Sequence, residues 1–347
     1  MKAVFSKVLV GFSILFLFSS CTKLLYTSID VLKPAKVTFD PQKNNLLIVN
    51  NTVEQPDNYG HKNEFLGEKA KNLTHKTDSL PLFCLSVLND GISSTGFFND
   101  VNLELESVSN SSDFFNVQVL STDNITRLSK KYNANVILSL DRLKVNDQVQ
   151  EYYSKDYYTY YATLDARLES QWSLHYPGNS QYGSIIFKDT LFWDGESSFR
   201  QRALSQLPDR AAALFDAAVY VGNNTVKRLI PQWEKADRYF FENSNKSMKH
   251  GYDSLVYKNW EAAIRIWDEA LPASKVRIQA LLAHNIAVTY EIMGDIDNAI
   301  SYAQKSLEYF EQSQIVNYKY YELAESYLEI LRIRKNELNM IDKQLGV

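Results

Sequence analysis

The chain has 347 residues, 45% of them hydrophobic and 22% charged, which are proportions of a folded globular protein and exclude a disordered one. A formal net charge of −4 with no basic cluster gives no drive toward phosphate backbones, so nucleic acid is not an expected partner. Of the two cysteines, Cys84 is the one left to pair once Cys21 is used as read below, so no disulfide framework is expected and stability must come from packing.

Residues 1–20 read as a signal peptide. Lys2 and Lys7 supply a positive start, Val8 to Phe18 an apolar run too short to span a bilayer, and Ser19-Ser20 small residues ahead of Cys21. The pattern resembles the lipobox of Gram-negative lipoproteins, with Phe18 where Leu is commoner. That resemblance implies acylation of Cys21 and a body that hangs from a bilayer without crossing it. Cleavage ahead of Cys21 leaves a chain long enough for two ordinary domains. Residues 21–40, with Pro34 and little periodicity, read as a tether. Some lipoproteins destined for the cell surface resemble one another in an acidic run after this Cys; its absence here implies, on that resemblance, a protein facing the periplasm, expected at the outer membrane.

From residue 41 the pattern alternates between periods. Leu46 to Val49 is a short apolar run expected as a buried strand, and Leu80, Phe83, Val87, Leu88 and Ile92 have helical spacing. A strand is expected at Asn116 to Leu120. A helix follows, capped by Thr122 or Asp123, with Ile125 and Leu128 on its apolar side. Val136, Leu138 and Leu140 alternate with polar neighbours, as do Leu164 to Leu174. Pro177-Gly178-Asn179 turns the chain back into Gly183 to Trp193. Residues 201–233 return to helical spacing, with breaks expected at Pro208 and Gly222. The expectation for residues 41–233 is a mixed β-sheet with flanking helices, and for the whole chain an α+β class. The segment Leu46 to Val145, in particular the helix end Leu128-Ser129-Lys130-Lys131-Tyr132-Asn133 leading into Val136-Ile137-Leu138, resembles the α/β domain of curli-secretion lipoproteins and of the amino-terminal part of the Tol translocation protein. The resemblance implies assembly and contact, with no catalytic residue carried over.

Residues 234–347 read as helical hairpins. Asn285 to Tyr290, Gly294, Asn298-Ala299-Ile300 and Ala303 match a tetratricopeptide unit. Ala263 with Trp260, Ile264 and Trp267 marks a preceding unit, and Leu323 to Tyr327 repeats Ile286 to Tyr290. The resemblance implies a peptide-binding groove lined by the first helix of each pair, here Leu281, His284, Val288 and Glu291, joined by Glu325 and Leu328 of the last helix. The chain as a whole resembles Gram-negative envelope lipoproteins with carboxy-terminal tetratricopeptide repeats, a group with no established function.

Chemistry-bearing patterns are sparse. The five histidines, His61, His75, His175, His250 and His284, have no metal-ligand spacing. Cys84 sits on an apolar helix face, and no nucleotide or nucleophile motif occurs. Neither a metal nor a cofactor is expected, and the protein is expected not to be an enzyme. The run Glu151 to Tyr161 carries Tyr152, Tyr153, Tyr157, Tyr158, Tyr160 and Tyr161, which suit a contact surface. The functional expectation is a membrane-anchored adaptor for an envelope protein partner. The alternative is a glycan- or small-ligand-binding lipoprotein of nutrient uptake that uses these tyrosines with Trp172 and Trp193.

Overall fold

The computed structural model describes residues 22–179, 182–313 and 318–347. The signal peptide and Cys21 lie outside the described residues. In chain order the elements are β1 (Lys23–Lys33), β2 (Asn45–Asn50), β3 (His61–Phe65), β4 (Lys71–Asn72), α1 (Leu80–Thr95), β5 (Asp100–Glu104) and α2 (Thr122–Tyr132). Then come β6 (Val136–Ser154), β7 (Thr159–His175), β8 (Tyr182–Ser197), α3 (Arg200–Leu204), α4 (Arg210–Leu229) and β9 (Gln232–Glu242). Helices α5 (Lys246–Val256), α6 (Trp260–Ala270), α7 (Val276–Ile292), α8 (Ile296–Gln312) and α9 (Tyr318–Leu345) complete the chain. The class is α+β, a mixed sheet with helices followed by a run of helices. The described residues form two compact units, residues 33–232 with 340–347 and residues 22–32 with 233–339.

The first unit is built on β6, which runs 19 residues. Its first half pairs in parallel with β2, its second half in parallel with β3, and its other edge antiparallel with β7. β5 extends the sheet beyond β2, β4 beyond β3 and β8 beyond β7. Leu46 and Ile48 face α1 and α4 in the main core with Val136, Leu138, Leu85, Leu88 and Leu214. Leu47, Val49 and Ile137 face the other way, onto Leu128 of α2. Because β2 is covered on both faces, its sequence is a continuous apolar run and not an alternating one. Helix termini follow their residues. Ser121 Oγ accepts from Asn124 N at 3.2 Å to cap α2, Asn133 in the left-handed region ends it, and Asp209 caps α4.

Four expectations are corrected. Residues 23–33, expected as tether, form strand β1, whose partner β9 lies some two hundred residues away in sequence and leaves no local trace. Asn116 to Leu120 is irregular. The strand beside β2 is β5, whose Asp100-Val101-Asn102-Leu103-Glu104 is too polar to stand out. The α2 cap is Ser121, one residue before Thr122. Gly222 does not break α4: a Cβ there would lie 2.6 Å from the Cys84 carbonyl oxygen, so the glycine is where α1 and α4 meet backbone to backbone. Gly222→Ala is expected to destabilise the sheet unit by about 1–3 kcal/mol, because the obstructing atom is main chain and has no rotamer to escape into. A lowered urea midpoint with unchanged slope checks this.

Candidate functional site

The face of α7 expected to line an open groove is filled by the chain's own strand. Leu281, His284, Val288 and Glu291 are buried, and β9 lies on them. Asn285 grips the strand as a neighbouring strand would: its Oδ1 accepts from Phe241 N at 2.8 Å and its Nδ2 donates to Phe241 O at 2.8 Å. His284 stacks on Tyr239, with ring centroids 4.7 Å apart, and its Nε2 lies 3.2 Å from the Tyr239 carbonyl oxygen. That contact makes Nε2 the protonated nitrogen and leaves Nδ1 with no hydrogen-bond partner among the described residues. The Tyr239 hydroxyl donates to Leu323 O of α9 at 2.6 Å. Deeper in, Arg238 holds Glu291 with two bonds of 2.6 and 2.7 Å, Tyr327 donates to the same carboxylate at 2.8 Å, and Arg334 stands 3.5 Å away. Burial, with Glu291 alongside, pushes the Tyr327 hydroxyl well above its ordinary value, so it remains a donor. The anticipated groove residues are thus the floor of an internal interface. Glu325 and Leu328 belong elsewhere, to a cavity of about 620 Å³ between α8 and α9 with Ile330 and Ile333.

Two of the buried polar clusters in the sheet unit bring a histidine near a carboxylate. Asp141 is 3% exposed and takes bonds from Ser173 Oγ at 2.5 Å, Ser139 Oγ at 2.8 Å and Asn51 Nδ2 at 2.8 Å. Burial raises its pKa while these three donors oppose the rise. Ser139 Oγ is also 3.4 Å from His175 Nε2, which gives the composition of a hydrolytic triad in the wrong connectivity. In a working triad the carboxylate orients the imidazole and the imidazole takes the serine proton; here the serine proton is held by the carboxylate. The second cluster joins His61 Nδ1 to one oxygen of Asp147 and Arg210 to the other, with Arg210 also on Asn63. The His61 and Asp147 side chains have no exposed surface, and His61 Nε2 finds no partner among the described residues. His75, 5.5 Å away ring to ring, has its pKa lowered by burial and by His61. Cys84 is buried in the main core, which pushes its thiol up to about 12 and keeps it protonated. Among the described residues no group of three or more His, Cys, Asp or Glu is placed to hold a metal ion.

The tyrosine run does reach the surface. β6 and β7 form a hairpin whose tip carries Tyr157 and Tyr158, 75% and 76% exposed. Below the tip Tyr152 stacks on Tyr161 at 4.9 Å, and Tyr153 lies against Tyr160 at 4.6 Å. Those two cross-strand pairs point to opposite faces of the ribbon. Tyr158 has φ 51°, the left-handed region that Gly or Asn occupies at lower cost. Trp172, by contrast, is 1% exposed in the main core, and Trp193 is packed against it, so neither joins this surface.

The chain belongs to the family defined by a domain of unknown function, DUF8603, whose profile matches residues 44–241. Residues 249–333 match a second domain of unknown function, DUF6340. A comparison with proteins of curated function finds no match. A solved structure described only as the crystal structure of an uncharacterized protein is similar over 53% of this chain and 92% of its own, at 13% identity and a TM-score of 0.25. Among the described residues no helix is long and apolar enough to cross a membrane.

Two outcomes follow from the buried groups. Glu291→Ala would leave Arg238 and Arg334 without their shared carboxylate and is expected to cost about 3–5 kcal/mol, measured as loss of stability in urea. Burial lowers both His284 and His175 from the ordinary 6.5 to about 4. Between those values the unfolded chain binds more protons than the folded one, so stability falls as pH drops from 6.5 to about 4 and flattens below. Melting curves across that window check the sign, and His284→Phe is expected to make the dependence shallower.

Proposed function

We propose that the protein is a lipoprotein held in the cell envelope by acylated Cys21, facing the periplasm, and that it acts without catalysis as an adaptor for an envelope protein. The observation that carries this reading is the β6–β7 hairpin tip. Exposed tyrosines bring large contact area at low rotamer cost, the property that enriches them at protein interfaces. At Tyr158 a bulky ring is kept in a backbone conformation that a smaller residue would occupy with less strain, which points to the ring's use. We read the helical unit as tetratricopeptide-like, with its groove engaged in cis by β9.

Membrane fractionation of the full chain against Cys21→Ala tests the anchor. The wild type is expected in the membrane fraction and the variant in the soluble one; identical behaviour would remove the lipoprotein reading. Crosslinking and mass spectrometry of the anchored form are expected to recover one stoichiometric envelope protein through the hairpin tip. Tyr157→Ser combined with Tyr158→Gly is expected to abolish that crosslink while leaving the melting temperature unchanged or raised, since the left-handed tyrosine is relieved.

A further inference from the structure

The side of the sheet away from α1 and α4 is only partly covered. α2 packs on Leu47, Val49 and Ile137. A bulge between Leu140 and Arg142 then shifts the parity of β6, and beyond it the even-numbered residues face outward. Register places Lys62, Gln148, Asp165 and Phe192 in one row across β3, β6, β7 and β8. The next row outward is Glu64, Gln150, Thr163 and Asp194, and the row after it is the stacked pair Tyr152 and Tyr161 with Glu196.

A cleft of about 260 Å³ opens in this face, lined by Gly60, Lys62, Asn146, Gln148, Asp165 and Arg167 among others. Its floor depends on Gly60, which has φ +93° and where a Cβ would lie 2.4 Å from the Val145 carbonyl oxygen and 3.0 Å from Asn146 Oδ1. Phe192, 58% exposed, flanks the cleft beside Asp165. The tyrosine pair stands four residues further along the strands, about 13 Å at the ordinary rise per residue.

We propose that this outer face binds a neutral oligosaccharide, one ring seated in the cleft and a later ring against Tyr152 and Tyr161. The chemistry of the lining selects that class. Arg167 Nη2 sits 3.3 Å from Asp165 Oδ2, so the most prominent charges are matched in place and an ionic ligand would meet both signs. An apolar peptide side chain would have to desolvate Lys62 and the Arg167–Asp165 pair while offering neither a hydrogen bond. Sugar hydroxyls both donate and accept, and therefore satisfy amide, carboxylate and guanidinium groups together. The aromatic rings at two separated points offer faces for the apolar side of a pyranose, and the interval between them calls for a chain of rings. Gln148 and Gln150 are held facing outward by Glu64, to which they donate at 2.9 and 3.2 Å, so the amides are ordered before a ligand arrives. This site is separate from the hairpin tip proposed above as a protein contact, and neither inference depends on the other.

Calorimetric titration of the full chain with cellotetraose, maltotetraose and chitotetraose tests the proposal. At least one sugar is expected to bind with one-to-one stoichiometry, and Asp165→Ala and Tyr161→Ala are each expected to weaken it about tenfold. Phe192→Ser, at a side chain that is mostly solvent-exposed, is expected to weaken it also, and serves if either other variant melts early. Tyr158→Gly at the tip is expected to leave sugar affinity unchanged. Absence of heat with all three sugars, binding that survives Asp165→Ala combined with Tyr161→Ala, or a protein partner protecting this face without sugar binding would each overturn it.

Discussion

Asp141 is the constraint around which the sheet unit is arranged. It sits in the β6 bulge, where an inserted residue has no place in the regular alternation, and its side chain is buried. A carboxylate in that position is tolerated because Ser139, Ser173 and Asn51 converge on it from β6, β7 and the end of β2. The same irregularity divides β6 into two functional halves. Before it, the outward residues Ile137 and Ser139 are buried; after it, outward residues are polar and partly exposed. Were Asp141 threaded in regular alternation instead of set in the bulge, Leu143 and Val145 would turn outward. The buried polar network and the open polar face thus both rest on that one bulge.

The helical unit solves a different problem. A few helical hairpins leave an apolar face that neighbours in a longer array would cover. Here β9 covers it, and does so with backbone as well as side chains. A strand laid on a helix brings N–H and C=O groups that the helix cannot pair, and the Asn285 carboxamide supplies one donor and one acceptor where they are missing. The Arg238–Glu291 pair then sets the strand's register, since a slip of one residue would part the buried guanidinium from its carboxylate.

What could be read from the residues followed from local pattern. β2, α1, α2, β6, β7 and β8 each announce themselves by apolar periodicity or by a turn, and α2 ends at Asn133 where the polar turn indicated. The elements that escaped are those whose reason lies elsewhere in the chain. β1 and β9 are strands because they pair with each other, β5 because β2 offers it an edge, and Gly222 is helical because α1 passes beside it. The candidate site shows the same division. Six tyrosines in eleven residues are visible as a cluster, but which face each occupies depends on cross-strand register and on the bulge. The groove residues were identified by their helix positions, and nothing at those positions tells of a strand more than forty residues upstream. One signal was available: Tyr239, Phe240 and Phe241 are three successive aromatics, residues of high strand propensity, at the start of a segment read as helical hairpins.

The start of the described chain carries one more implication. Thr22 is buried, its carbonyl oxygen receives the Tyr320 hydroxyl at 2.7 Å, and β1 begins at the next residue. If Cys21 bears acyl chains, the leash between lipid and folded protein is a single peptide unit. Such a protein does not sweep a volume below the bilayer as a long-stalked lipoprotein does. Its helical unit would ride at headgroup level in a narrow range of attitudes, and the lipid would act as a fixed pivot.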